Sequence, residues 1–130
     1  MQKVVIISGS KADQEWVEQI QVELTQLNIQ SEWEACSAHK ETKRLIELLE
    51  QWESSGDDLV YVTVAGRSNA LSGVVACNTK HPVLAVPPFK DKADFMVNIN
   101  STLQMPSNTP VLTVLDPSNA AQAIQRIFSL

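Results

Sequence analysis

The sequence predicts an α/β fold, a three-layer sandwich with a doubly wound, flavodoxin-like parallel sheet, and two observations carry that prediction. Short runs rich in Val, Ile and Leu recur at residues 3–8, 31–35, 59–64, 83–86 and 111–115. Amphipathic helical patterns fill the gaps between them. Strands that alternate with helices form parallel sheets, because each helix returns the chain by a right-handed crossover. Near-continuous apolar runs suit strands covered by helices on both faces.

The first run, Val4-Val5-Ile6-Ile7, is apolar throughout and reads as a buried strand. Residues 12–27 then place Val17, Ile20, Leu24 and Leu27 on one helical stripe. Ser10 and Asp13 have capping-box spacing before that helix, and Asn28 suits the position after it. The second run, Ser31 to Ala35, alternates polar and apolar residues and predicts a half-exposed strand. Residues 41–54 set Leu45, Leu48, Leu49 and Trp52 on one face, and Gly56 closes that helix. A strand over 59–64 and a small-residue helix over 69–78 follow, then a strand over 83–86. Between Pro87 and Pro110 the pattern supports only a short helix around residues 93–103. The strand over 111–115 leads into a last helix over 118–128, with Ala121, Ile124 and Phe128 inward.

A chain of 130 residues with 44% apolar content fits one domain, residues 1–130. At this size roughly two-thirds of the unfolded surface is buried, so no disulfide or metal staple is needed. No apolar run reaches the ~18 residues of a membrane span, and no membrane partner is expected. The opening run is too short for a signal-peptide core. Cys36 and Cys77 form no C-x-x-C pair, so the expectation is a cytoplasmic protein with reduced thiols. A net charge of −5 argues against nucleic acid as a partner. Residues 1–65 carry twelve acids and five bases, and residues 66–130 three acids and five bases. That imbalance reads as solvated acidic helices in the first half.

In a doubly wound sheet, ligands sit beyond the carboxyl ends of the strands, which directs attention to the strand-to-helix loops. The first loop holds Gly9, Ser10, Lys11 and Asp13. It is either a plain capped turn or an anion cradle in which Gly9 lets the backbone approach, with Asp13 able to accept from ribose hydroxyls. The second, Cys36-Ser37-Ala38-His39-Lys40, joins an imidazole that titrates near neutrality to a fixed positive charge. The third, Ala65-Gly66-Arg67-Ser68-Asn69, offers a forked cation and small polar groups. His81, just before Pro82, reads as a surface-turn residue, and Pro87-Pro88 as a rigid loop.

Taken together, Gly9-Ser10 with Asp13, Ser37-Ala38-His39-Lys40, Ala65-Gly66-Arg67-Ser68-Asn69, Pro87-Pro88 and Met105-Pro106-Ser107 resemble the aminoimidazole ribonucleotide (AIR) carboxylase family of purine biosynthesis. The resemblance covers nearly the whole chain, in order. It implies carboxylation of AIR with carbon dioxide to the 4-carboxy ribonucleotide, with no cofactor: no ATP, metal or biotin. Lys40, where class I enzymes carry Arg, and the short loop from Ala65 to Gly73 are similar to class II, the direct carboxylase. The resemblance gives His39 the acid/base role, with Lys40 beside it in the catalytic pair. It gives Ser10, Lys40 and Arg67 to phosphate or carboxylate, Asp13 to ribose, and Ser37, Ser68 and Asn69 to the ring or carbon dioxide. Gly9, Lys11, Ala38 and Gly66 complete the implied substrate-binding set.

The same resemblance implies a homo-oligomer, octameric in the family, with sites at subunit contacts. Three departures accompany it. Ala12 stands where the family often has Ser, Asn108 where Gly is usual, and the chain ends at Leu130 where relatives continue in a helix. Two alternatives stay open on the sequence: a class I mutase acting on the carboxyamino isomer, and a non-catalytic ribonucleotide-binding module.

Overall fold

The computed structural model describes residues 1–130. Strands and helices alternate: β1 (Gln2–Ser8), α1 (Gln14–Gln26), β2 (Ser31–Ala35), α2 (Thr42–Glu53), β3 (Asp58–Val64), α3 (Leu71–Cys77), β4 (Val83–Ala85), α4 (Lys92–Leu103), β5 (Leu112–Thr113) and α5 (Pro117–Phe128). All strand pairs are parallel, in the order β2-β1-β3-β4-β5. The predicted three-layer α/β architecture is the observed one, with the order of a flavodoxin-like sheet.

Side chains of a strand alternate between its two faces, and that period divides the core. Val4, Ile6, Val60, Val62 and Leu84 pack with Val17, Ile20 and Leu24 of α1 and Ala120, Ala121 and Ile124 of α5. Val5, Ile7, Leu59, Tyr61 and Val83 pack on the other face with Leu45, Leu49 and Trp52 of α2 and Leu71 and Val75 of α3. The continuous apolar runs of β1 and β3 are thus buried on both sides. No helix is long and apolar enough to cross a membrane.

Differences from the sequence pattern are local. The capping box at Ser10 is absent. A 3-10 turn (Lys11–Asp13) intervenes, Ser10 Oγ accepts from the Ala12 N–H at 3.0 Å, and Asp13 caps nothing with its side chain. The tight turn is closed two residues into the loop, so the Asp13 carboxyl is not used to cap α1. The strand expected over 111–115 shrinks to two residues, because only Leu112 and Thr113 find partners, in Leu84 and Ala85 of β4. The short helix expected around 93–103 is a full twelve-residue α4, started by Asp91, whose side chain accepts from the Asp94 N–H at 2.8 Å. Asn28 and Gly56 do take left-handed backbone, at φ 59° and 81°.

His81 does stand in a bend before Pro82, but it is only part-exposed. Its ring lies 3.9 Å from the Glu53 carboxylate, which also accepts from the Tyr61 hydroxyl at 2.6 Å and the Thr79 hydroxyl at 2.9 Å. Burial, then the bond and charge of Glu53, push the Tyr61 hydroxyl well above its usual range. This cluster lies at the amino end of the sheet, opposite the strand-to-helix loops.

Leu24 is fully buried between the sheet and α5. Leu24→Ala is expected to cost about 2–5 kcal/mol in urea denaturation, from lost apolar transfer plus a cavity.

Candidate active site

The strand order reverses between β1 and β3, and at such a switch point the flanking loops diverge to leave a crevice. Three loops meet there because the sheet brings their starting points level. The Gly9 N–H donates to Val64 O at 2.9 Å and the Cys36 N–H to Ser8 O at 2.8 Å. Ser8 is buried and ties the neighbourhood further, accepting from Trp33 Nε1 at 2.9 Å and donating to Ser10 O at 2.8 Å.

A cavity of about 290 Å³ fills the crevice. Gly9, Ser10 and Asp13 line it from the first loop, Ser37, Ala38 and His39 from the second, and Gly66, Arg67 and Ser68 from the third. Ala65, Ala70 and Leu71, from the same loop and the start of α3, complete its lining. A second lobe of about 390 Å³ shares Asp13, Gly66 and Arg67 with the first and extends to Trp16, Phe89, Lys90, Asp94 and Asn98. Each lobe is near the lower end of small-molecule sites, roughly 300–1,000 Å³.

Three residues expected at the site do not line it. Lys11 and Lys40 are exposed outside the lining. Asn69 faces the fold instead: its Oδ1 accepts from the Ser72 N–H at 3.1 Å, and its Nδ2 donates to Ser72 Oγ at 2.9 Å and Thr102 Oγ1 at 3.1 Å. Its backbone N–H donates to Ser101 Oγ at 2.7 Å. Asn69 therefore anchors the third loop to α3 and α4, where its side chain is more valuable as a cap than as a ligand contact.

The His39 loop is held from behind. The Lys40 N–H donates to Ser37 Oγ at 3.1 Å and the Glu41 N–H to Ser37 O at 2.9 Å, which folds the loop into a turn. Arg44 braces it, donating to Ala35 O and Glu34 at 2.9 Å each and to Glu41 at 3.3 Å. No protein hydrogen bond or ion pair engages the His39 imidazole, which is exposed at the rim. Its freedom follows from the turn: Ser37 and Thr42 take up the loop's backbone groups and leave the ring for solvent or ligand.

In the third loop Ser68 is left-handed, at φ 52°, a conformation that costs a side-chain-bearing residue some stability and recurs at functional loops. Gly66 lies against Asn98, where a Cβ would come within 3.3 Å of Asn98 Oδ1. The Arg67 guanidinium is largely exposed, with Asp94 3.8 Å away. The sequence reading missed Arg44, Lys90, Asp94 and Asn98. Glu41 and Arg44 stand three apart at a helix start, which is a signal. Lys90 and Asn98 lie in the stretch where no pattern was firm.

Asp13 is half-buried between the lobes. Burial raises its carboxyl above the ordinary value of 3.8, against the lowering effects of the Ser10 backbone bond and the Lys90 charge. A cavity of this kind offers an unengaged acid/base group, a carboxylate that accepts hydroxyls, and an arginine free to swing onto an anion.

A family model described as AIR carboxylase matches residues 3–130. The phosphoribosylaminoimidazole carboxylase of Archaeoglobus fulgidus is 43% identical over 128 residues, which are 98% of this chain and 69% of that protein. That of Treponema denticola is 39% identical over 127 residues, 98% of this chain and 79% of that protein. The human bifunctional phosphoribosylaminoimidazole carboxylase/phosphoribosylaminoimidazole succinocarboxamide synthetase is 36% identical over 129 residues, 98% of this chain but 30% of its own length. The crystal structure of Treponema denticola PurE superposes with a TM-score of 0.92 at 37% identity, covering 99% of this chain and 81% of that one.

The raised Asp13 carboxyl has a consequence for stability. Above its folded pKa the carboxylate is charged in a partly desolvated place, so ionisation costs stability there; below 3.8 it is neutral whether folded or unfolded. Asp13→Asn is therefore expected to raise the Tm at pH 7, with the gain vanishing as pH falls below 3.8. Melting curves of both proteins across that range check it; a gain that persists in acid would contradict the burial cause.

Proposed function

The chain belongs to the AIR carboxylase family, and on that premise we propose that it carboxylates aminoimidazole ribonucleotide with carbon dioxide, giving the 4-carboxy ribonucleotide without ATP. The observation that carries the reading is the position of His39: an unengaged imidazole facing a cavity walled by the Gly9-Ser10 and Gly66-Ser68 loops. Carbon four of an aminoimidazole is enamine-like and attacks carbon dioxide directly. The adduct then loses the proton from that carbon to recover aromaticity. His39 moves this proton in either direction of the reaction.

Roles for the other residues follow from placement. Asp13, between the two lobes, accepts from the ribose hydroxyls. Ser10 and Arg67 take the phosphate or the new carboxylate, and Lys90, which shares the second lobe with Arg67, adds positive charge for the phosphate. Ser37 and Ser68 orient the ring and carbon dioxide, with Gly9, Ala38 and Gly66 giving room for both. Lys40 and Lys11 act from outside the lining as long-range charge, and Asn69 by holding its loop. Orientation and exclusion of water supply much of the rate. Lys40 and the short loop that begins at Ala65 favour the class II, direct route.

We also assign the chain to a homo-oligomer. α4 is inverted: Asn98 and Thr102 are its buried residues, while Met96, Val97 and Leu103 are exposed, as are Leu112 in β5 and Leu115 after it. Apolar surface of this kind favours cover by another protein, and the family resemblance makes that cover a second copy. A cytoplasmic setting suits the two free thiols, Cys36 and Cys77.

The test is turnover of aminoimidazole ribonucleotide with labelled bicarbonate and no ATP. Activity only on the carboxyamino isomer would replace the direct carboxylase by the mutase, and binding without exchange at carbon four would leave a binding module. His39→Asn is expected to lower kcat by about 10²–10⁴-fold, with an unchanged Tm because the ring makes no protein contact that folding relies on. Near-normal turnover in that variant would remove His39 from the proton transfer.

A further inference from the structure

The Asn98 side chain lies between the two loops that wall the second lobe. Asn98 is almost fully buried, and its Oδ1 is the one buried side-chain oxygen or nitrogen with no hydrogen-bond partner. The other end of the amide is engaged, Nδ2 donating to Pro88 O at 2.6 Å. That bond settles which way the amide points, since only its nitrogen can donate to a carbonyl. The oxygen therefore faces the loop between β3 and α3, where the position of a Cβ on Gly66 lies 3.3 Å from it. Asn98, Gly66, Arg67 and Pro88 all line the same lobe.

A buried acceptor left without a donor is an exception that asks for an explanation. Strain from packing is a poor one here, because the adjacent residue is a glycine and has no side chain to hold the loop away. The loop on that side carries Arg67, which is exposed and tied only by a 3.8 Å ion pair to Asp94.

We propose that Asn98 is a positioning residue for the reaction. Its Nδ2 holds the Pro88–Lys90 loop, and its Oδ1 takes a backbone N–H of the Gly66–Arg67 loop when an anionic substrate group draws Arg67 inward. The bond forms only in the filled cleft, so it adds to affinity for the ribonucleotide and sets the third loop against the ring. Gly66 is required for the approach, because a methyl there meets Oδ1 first. The inference rests on the reading of this cleft as the ribonucleotide site.

The experiment compares wild type with Asn98→Leu, which keeps size and removes both hydrogen-bonding groups. With saturating aminoimidazole ribonucleotide, the Gly66 and Arg67 amides of the wild type exchange their hydrogens more slowly, and those of the variant do not. In steady state KM rises about fivefold with kcat unchanged, the pattern of an interaction made equally in ground and transition states. Absence of slowing in the wild type, equal slowing in the variant, or an unchanged KM each overturns the proposal. If Asn98→Leu does not fold, Gly66→Ala probes the same contact from the other side, with the same KM rise expected and an unchanged KM overturning it. A wild type without turnover would refute the carboxylase reading instead; the clamp is then judged by amide exchange with ribose 5-phosphate, where no slowing at Gly66 or Arg67 overturns it.

Discussion

The ladder that β1 forms with β2 on one side and β3 on the other sets the position of the three loops that wall the first lobe. Ser8 is paired with Ala35 and with Val64, so three chains leave the sheet at one level and their next residues face one another. A slip of one residue in either pairing would turn the apolar side chains to the wrong face. The two core clusters, one on each side of the sheet, forbid that slip. The crevice is thus a by-product of burying Val4 to Ile7 on both faces.

A second constraint works at right angles to the sheet. Thr63 in β3 shares a 2.6 Å hydrogen bond with Ser72 of α3, Ser72 bonds Asn69, and Asn69 bonds Thr102 and Ser101 of α4. This polar seam runs through the part of the core nearest the site. Buried polar groups are costly alone and strengthen one another when fully paired. Here all but Asn98 Oδ1 are paired, and the seam fixes the third loop, including its left-handed Ser68. It also explains why α4 turns a polar face inward: that face meets the seam.

The acidic first half has a structural use that its charge balance did not disclose. Glu34 and Glu41 converge on Arg44 behind the His39 loop, and Glu32 pairs with Lys3 at 2.9 Å. Exposed pairs of this sort are worth little each to global stability, but Arg44 also grips the Ala35 carbonyl, at the point where β2 becomes the loop. The pairs matter through where they hold the chain.

By itself the sequence determined the alternation of strands and helices, the two-sided burial of β1 and β3, and the loops that hold Gly9, Ser37, His39 and Arg67. Each is a local pattern: period two or three point six in apolar residues, and polar or small residues at strand ends. Helix boundaries near Asn28 and Gly56 were legible for the same reason, since left-handed backbone selects those residue types. Tertiary structure alone decided which polar side chains face the cavity. Asn69 was drawn to its neighbours in α3 and α4, Lys11 and Lys40 to solvent, and Asn98 into the cleft wall. Its place in α4 carries no clear apolar period because the buried positions of that helix, Asn98 and Thr102, are polar and hydrogen-bonded. Such partners are distant in sequence, as Asn69 and Thr102 or Asn98 and Gly66 are, and no periodicity along one segment records them.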